Sequence, residues 1–276
     1  AGPRHGAPMT TVLAHRADGQ GEPLLLLNGG MMTIASWNGL VPPLADRFRV
    51  LRCDFRGQLC SPGEPHAELS AHVTDVVELL KALGIERAHV LGTSFGAEVG
   101  MLLAATHPAR VASLIVATAT DVATTALRGG GGELGGAWRS AARGGNRRDA
   151  LVLGEMLFYS DGYRRTNREA LDNRLAQVEL FPEWWFAGVV GLLATLENLD
   201  LRRYLGAIKC PTLVVAAGQD RVMPVERSHA MAAAIPGARL EVIEGSGHAL
   251  VVEKPVEFVT VCLAFLEDVK RTGGSS

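Results

Sequence analysis

The stretch Gly92-Thr93-Ser94-Phe95-Gly96 fits the pattern G-x-S-x-G and governs how the rest of the chain is interpreted. Residues 88–91 before it predict a short buried strand, and the Ala-, Leu- and Val-rich residues 97–105 after it predict a helix. A serine on a sharp turn between a strand and a helix projects its hydroxyl out of the sheet. The flanking glycines permit that turn because a Cβ would crowd the neighbouring backbone. This context favours a nucleophilic serine over a chance match.

Short apolar strands and helices alternate on both sides of this motif. Strands are predicted at residues 24–27, 49–53, 88–91, 111–116, 212–217 and 239–243. Such alternation is typical of a mostly parallel sheet flanked by helices. It stops at residues 122–205, which show helical segments and loops but no strand pattern. We therefore predict one α/β domain with a helical insertion.

Domain boundaries follow from this interruption. The core is predicted at residues 9–121 and 206–271, and the insertion at residues 122–205 is predicted to form a lid, or cap. Residues 1–8 and 272–276 are expected to be disordered or derived from cloning.

Composition excludes several classes of protein. The chain has 276 residues, 47% of them hydrophobic, with a net charge of −2 and a pI near 6.5. Nucleic-acid binders usually have a basic balance, so no nucleic-acid partner is expected. The N-terminus lacks the apolar segment of a signal peptide, and no apolar run has the length of a membrane span. We therefore expect a cytoplasmic protein without a membrane partner. The four scattered cysteines form no C-x-x-C motif, so no metal site is expected.

A serine hydroxyl needs a base to act as a nucleophile, and the base needs a carboxylate to orient it. Asp220 follows the predicted strand 212–217, and His248 follows the strand 239–243. The order Ser, Asp, His is the order of the nucleophile-elbow fold. All three residues lie on loops at the carboxyl ends of strands, where open α/β sheets bind ligands. The sequence thus predicts Ser94, Asp220 and His248 as a catalytic triad.

Each of these residues also has an ordinary structural interpretation. Ser94 could be a turn residue, Asp220 could cap a turn, and His248 could be structural. Asp121 follows the strand after the serine and is an alternative acid, and Asp54 is a weaker one. The three together, in this order, favour the triad.

Acyl transfer also needs backbone N–H groups that face the oxyanion. One is predicted at Phe95, directly after the nucleophile. The other is predicted in the glycine turn after the strand at residues 24–27, at Gly30, with Met31 as the alternative. Bulky apolar candidates for substrate binding are Met31, Phe158, Trp184 and Trp185, although such residues are as often part of a core.

These motifs together resemble the α/β-hydrolase superfamily, in its lidded esterase and lactonase branch. The resemblance depends on Asn28-Gly29-Gly30, Asp54-Phe55-Arg56-Gly57, Gly92 to Gly96, Gly218-Gln219-Asp220, Gly247-His248 and Pro255-Val256-Glu257-Phe258. Within this branch the chain resembles 3-oxoadipate enol-lactonase-like hydrolases. The resemblance implies an α/β-hydrolase fold with a helical lid after the sixth strand, and the triad named above.

Two departures from the family pattern concern the loops beside the serine. Asn28 stands where the family usually has His, which organises the oxyanion loop. The family pattern R-G-x-G-x-S becomes Arg56-Gly57-Gln58-Leu59-Cys60-Ser61, which lacks the second glycine. Neither departure removes a catalytic group.

The sequence therefore predicts a serine hydrolase that cleaves a small carboxylic ester or lactone through an acyl-enzyme. No metal or organic cofactor is required, and the protein is expected to be a monomer or homodimer. The same triad can serve C–C bond hydrolysis, cofactor-free perhydrolysis, or elimination or cyclisation in biosynthesis. A ligand-binding receptor on this fold is a further alternative, which the intact triad disfavours.

Overall fold

A computed structural model describes residues 12–128 and 132–273. Its strands are β1 (His15–Asp18), β2 (Pro23–Leu27), β3 (Arg49–Cys53), β4 (Ala88–Thr93), β5 (Val111–Ala117), β6 (Thr212–Ala217) and β7 (Arg239–Ile243). They form one sheet in the order β1-β3-β2-β4-β5-β6-β7. Only β1 is antiparallel to its neighbour, β3. The predicted α/β fold with a mostly parallel sheet is confirmed.

Helices cover both faces of this sheet. They are α1 (Val41–Ala45), α2 (Leu69–Ala82), α3 (Phe95–Thr106), α4 (Gly132–Ala141), α5 (Arg147–Phe158), α6 (Asp161–Thr166), α7 (Arg168–Glu179), α8 (Glu183–Ala194), α9 (Arg202–Leu205), α10 (Val225–Ala234), α11 (Leu250–Glu253) and α12 (Pro255–Gly273). Among the described residues, no helix is both long enough and apolar enough to cross a membrane.

Strand β2 shows why the sheet needs helices on both sides. Side chains on a strand alternate between its faces. Leu25 and Leu27 lie in the apolar cluster formed with α2 and α3. Leu24 and Leu26 lie in the opposite cluster, formed with α1 and α12. An uninterrupted apolar run is therefore required, as is typical of parallel strands.

The helices α4 to α9 lie between β5 and β6 in the chain. This segment, residues 122–205, is called the insertion below. It follows the fifth strand of the described residues, so the predicted position after the sixth strand is not confirmed. The reason lies at the N-terminus, where β1 is the only described strand before β2.

The chain termini differ in part from the sequence prediction. Helix α12 continues to Gly273, so residues 272 and 273 are helical instead of disordered. Residues 1–8 and 274–276 lie outside the described residues.

The insertion contacts the core most closely between two glycines. A Cβ on Gly188 of α8 would overlap the carbonyl oxygen of Gly57, in the loop after β3. Gly57 itself has a φ of +86°, which favours glycine. One turn of α8 further on, a Cβ on Gly191 would press against the ring of Pro65. The backbone of α8 therefore rests directly on the core.

A second contact joins the start of α6 to the loop after β7. The Glu253 carboxylate accepts hydrogen bonds from the backbone N–H of Ser160, at 2.9 Å, and from its hydroxyl, at 2.6 Å. The same carboxylate accepts a hydrogen bond from the N–H of Gly247, at 3.1 Å. Because Gly247 directly precedes His248, one buried carboxylate holds both the insertion and the loop that carries the histidine.

Candidate active site

Ser94 lies at the tip of the turn between β4 and α3. Its φ is +50°, a conformation that costs free energy in a non-glycine residue and that tends to persist at functional sites. Two glycines make the turn possible. A Cβ on Gly92 would overlap the backbone of Gly96, and a Cβ on Gly96 would overlap the carbonyl of Leu27. The strand–serine–helix arrangement predicted from the sequence is therefore present.

The side chains of Ser94, His248 and Asp220 form one hydrogen-bonded chain. Nε2 of His248 lies 3.1 Å from Oγ of Ser94, and Nδ1 of His248 lies 2.9 Å from Oδ2 of Asp220. Because the carboxylate accepts the Nδ1 proton, Nε2 is left to accept a proton from the serine. The structure thus brings together three residues separated by up to 154 positions in the chain.

Backbone donors fix the orientation of the Asp220 carboxylate. Its Oδ1 accepts hydrogen bonds from the N–H groups of Val222 and Met223, both at 2.8 Å. Its side chain is fully buried, and that of His248 is only 11% exposed. Both carboxylate oxygens are therefore occupied, and the imidazole is held in one plane.

The two alternative acids have other partners. Asp121 forms an ion pair with Arg227. Asp54 accepts hydrogen bonds from the N–H groups of Ile34, at 2.6 Å, and Cys60, at 2.7 Å. In the described structure neither carboxylate is hydrogen-bonded to a histidine, which favours Asp220 as the partner of His248.

A buried polar network holds the glycine turn beside the serine. The Asn28 side chain accepts a hydrogen bond from Nε1 of Trp37, at 2.6 Å. Its Nδ2 donates to Asp54, at 2.9 Å, and to Oε1 of Gln58, at 3.0 Å. Asn28, Asp54 and Gln58 are all 0% exposed. The network thus fixes this turn through Asn28, the residue that stands where the resemblance led us to expect a histidine.

Gln58 orients the peptide groups of this turn. Its Nε2 donates to the carbonyl oxygens of Gly29, at 2.8 Å, and Gly30, at 3.3 Å. In a trans peptide the N–H points away from the carbonyl. The N–H groups of Gly30 and Met31 therefore point away from Gln58, and both residues line the cavity. Within the described residues, neither of these N–H groups, nor that of Phe95, donates a hydrogen bond.

Gln58 has a role that the sequence analysis missed. Its position within the loop that follows β3 was available as a signal, because that loop lies at the carboxyl edge of the sheet. Its burial could not be inferred from the sequence, because a glutamine in a loop is usually exposed.

A cavity of about 200 Å³ lies between Ser94, His248 and the insertion. Three of the four predicted substrate-binding residues line it, namely Met31, Phe158 and Trp185. The ring of Phe158 lies 5.7 Å from the imidazole of His248. The prediction for Trp184 is wrong, because this side chain does not line the cavity and is 39% exposed. Adjacent residues on a helix differ by about 100° in direction, so only one of the two tryptophans can face inward.

Glu98 lies beneath the site, one helical turn after Ser94. Burial raises its pKa to about 8, so this carboxyl group holds a proton at neutral pH. One oxygen accepts a hydrogen bond from the N–H of Thr120, at 3.0 Å, and the other has no partner. No group of three His, Cys, Asp or Glu residues in the described part of the chain could hold a metal ion.

Comparisons with known proteins agree with this architecture. A family model described as alpha/beta hydrolase fold matches residues 22–255. A putative carbamate hydrolase RutD from Agrobacterium fabrum is 29% identical, over 93% of this chain and 97% of its own. A pimeloyl-[acyl-carrier protein] methyl ester esterase from Aeromonas hydrophila is 29% identical, over 90% and 96%. The crystal structure of the enol-lactonase from Burkholderia xenovorans LB400 superimposes with a TM-score of 0.80, at 23% identity over 92% and 96%.

Proposed function

Because this chain belongs to the alpha/beta hydrolase fold family, we propose that it is a serine hydrolase that cleaves a small carboxylic ester or lactone. The family and the named relatives support hydrolase activity. The observation that carries the proposal is the chain of hydrogen bonds from Ser94 through His248 to Asp220, at 3.1 and 2.9 Å. This geometry suits covalent catalysis by a serine.

The reaction starts when Oγ of Ser94 attacks the substrate carbonyl while Nε2 of His248 takes its proton. Asp220 stabilises the imidazolium that forms. The imidazolium then protonates the leaving alcohol, and an acyl-enzyme remains on Ser94. Water attacks this ester, its proton passes to His248, and the acid is released as Ser94 regains its hydrogen. For a lactone the leaving alcohol stays attached to the acyl group.

The oxyanion of each tetrahedral intermediate is bound by backbone N–H groups. Phe95 supplies one, and the turn that Gln58 orients supplies another from Gly30 or Met31. Removing a single donor of this kind costs about 10²–10³ in kcat. Gln58 acts through the backbone and is a positioning residue.

The insertion acts as a lid over the reacting groups. Phe158 and Trp185 belong to its helices and line the cavity. An enclosed apolar cavity excludes water and strengthens the electrostatic effects inside it. The volume of about 200 Å³ favours a small acyl group.

A carbamate is the second candidate substrate, because a relative at 29% identity is named a putative carbamate hydrolase. A carbamate carbonyl is attacked by the same serine, and nitrogen leaves in place of oxygen. The two substrates therefore differ in the protonation of the leaving group by His248, and a direct comparison of rates separates them.

The test is the variant Ser94→Ala with a fluorophosphonate probe. We expect the wild type to form an adduct on Ser94 and to hydrolyse short esters faster than matched carbamates. The variant should lose the adduct and at least about 10⁴-fold in kcat. Robust ester turnover by the variant would contradict the mechanism. Faster turnover of the carbamates by the wild type would replace the ester proposal with the second candidate.

A further inference from the structure

Helix α7 carries an arginine within its apolar stripe. Leu171, Leu175 and Val178 are spaced as the buried face of an amphipathic helix, and Arg174 lies on the same face. All four residues line the cavity that contains Ser94. A charged residue at such a position is unusual, because arginine is seldom placed in an apolar wall unless it is paired.

Among the described residues, the guanidinium of Arg174 has no partner. It forms no hydrogen bond and no ion pair with any residue of the described ranges. Arg168, two turns earlier on α7, differs: it forms two hydrogen bonds with Glu155, at 2.7 and 3.0 Å, and also pairs with Asp172. Arginine remains charged at all relevant pH values. Arg174 therefore carries an uncompensated positive charge into the cavity.

Other hydrogen-bond donors near Arg174 also lack acceptors. The indole N–H groups of Trp138 and Trp185 are buried without a partner, and both residues line the cavity. They pack in one apolar cluster with Leu175, the neighbour of Arg174. Arginine and tryptophan side chains only donate hydrogen bonds. This end of the cavity is thus rich in donors and poor in acceptors.

Tyr159 supplies a further polar group to the same wall. Its hydroxyl forms no hydrogen bond with a described residue, and the side chain lines the cavity. Burial raises the pKa of this hydroxyl, and among the neighbouring charges Arg174 has the largest effect, in the lowering direction. The hydroxyl and the guanidinium thus both belong to side chains that line this cavity.

Neither of the glutamates that line the cavity, Glu155 and Glu197, forms an ion pair with Arg174. Both oxygens of Glu155 are bound by Arg168. Glu197 lies beyond the last residue of α8, whereas Trp185 lies at its start. At a rise of about 1.5 Å per residue, this places them roughly 14 Å or more apart along the helix.

We propose that Arg174 and Tyr159 form an anion subsite that binds a carboxylate of the substrate, remote from the ester carbonyl that Ser94 attacks. The inference depends on the proposed function and narrows its substrate to esters or lactones of dicarboxylic or other anionic acids. A charge-assisted hydrogen bond from the guanidinium supplies affinity, and the preponderance of donors favours a group that only accepts, such as a carboxylate.

The kinetic test compares monomethyl succinate, glutarate and adipate with the analogues in which a carboxamide replaces the free carboxylate. The measured quantity is the ratio of kcat/KM for the anionic ester to that for the neutral one. The wild type should prefer at least one anionic ester, and R174Q should lower its ratio by about 10- to 100-fold. R174K should retain part of it. R165Q is the matched control, because Arg165 is exposed on α6 and does not line the cavity, and its ratio should equal that of the wild type.

A ratio unchanged in R174Q, or lowered equally in R165Q, would overturn the subsite. Calorimetric binding of adipate to S94A provides a second measurement that requires no turnover. We expect binding to weaken by about 10-fold or more in S94A/R174Q and to persist in S94A/R165Q. Equal binding by all three would overturn the subsite. Adipate binding that depends on Arg174, with no ester hydrolysed by the wild type, would instead refute the proposed function alone.

Discussion

The loops at the carboxyl edge of the sheet and the helices of the insertion form two walls of one cavity, but they are held differently. Ser94, His248 and Asp220 stand on strand ends, in backbone positions fixed by buried hydrogen bonds and glycine contacts. Of the six large apolar residues that are exposed in the described structure, four belong to the insertion: Val152, Met156, Leu180 and Trp184. The insertion is therefore the less completely packed of the two.

This difference suggests separate roles for the sheet edge and for the insertion. In the mechanism that we propose, a hydroxyl, an imidazole and a carboxylate must stay within hydrogen-bond distance, which the rigid sheet provides. In the same proposal the side chains that close the cavity select the substrate, and these come largely from the insertion. The same reacting groups can thus serve different substrates when only the inserted helices change.

The largest expected effect concerns the sheet wall, that is, the loops at the carboxyl edge of the sheet. It distinguishes Asp220 from the alternative acid, Asp121. Asp220→Asn should lower kcat by about 10³–10⁴, because the amide cannot hold the imidazole in the required tautomer. Asp121→Asn is the matched control. It weakens the ion pair with Arg227 and should lower stability while kcat stays within about tenfold. Steady-state kinetics and urea unfolding of both variants check this. An equal loss of kcat in the two would remove Asp220 from its proposed role.

A smaller effect concerns the stability of the same wall. The pKa of Glu98 is about 8 in the folded protein, and its ordinary value is 4.5. Between pH 4.5 and 8 the carboxyl group is therefore protonated in the folded protein and ionised in the unfolded chain. Unfolding releases that proton, and stability consequently falls as pH rises from about 4.5 toward 8. Glu98→Gln removes this dependence. The stability of the variant relative to the wild type should rise by roughly 3 kcal/mol between pH 5 and 8.

Urea unfolding at several pH values measures this difference. Burial lowers the pKa of His72 to about 4, which gives a slope of opposite sign below pH 6.5. That slope is common to both proteins and cancels in the difference. Glu226→Gln, an exposed glutamate on α10, is the control and should follow the wild type. A difference that does not change with pH would show that Glu98 is ionised in the folded protein.

The smallest effect concerns the junction between the two walls. Glu253→Ala removes the acceptor of Ser160 and Gly247, and an unsatisfied buried donor costs about 1–3 kcal/mol. We expect a stability loss of about 2 kcal/mol, faster proteolysis of the insertion and a lower kcat/KM. Glu257→Ala removes an exposed glutamate nearby and should change none of these. If the insertion resists proteolysis equally in both variants, Glu253 does not anchor it.

The sheet wall was largely predictable from the sequence. Ser94, Asp220 and His248 each follow an apolar strand, and parallel strands bring their carboxyl ends to one edge, so chain order was sufficient to bring them together. The membership of the α/β-hydrolase superfamily that these motifs indicated is confirmed. Gln58 was not predictable, because its role depends on burial that a loop sequence does not reveal.

The insertion was less predictable for a physical reason. Its helices could be recognised, but the face that each turns inward depends on how it docks. Trp184 and Trp185 are chemically alike, and only Trp185 lines the cavity. Arg174 carried a signal in its position among Leu171 and Leu175, yet the absence of a partner could be seen only in the folded chain. Helical periodicity thus predicts the helices, whereas tertiary contacts determine which side chains of each helix face the cavity.

The contact between Gly188 and Gly57 has a consequence for protein engineering. Main-chain atoms set the distance between α8 and the loop beneath it, so even a single methyl group at residue 188 would push the two apart. Attempts to enlarge the chamber for bulkier compounds should leave α8 unaltered at this crossing. Trimming side chains on α5 and α7 offers the better route, since their spacing from the sheet is not fixed by that glycine pair.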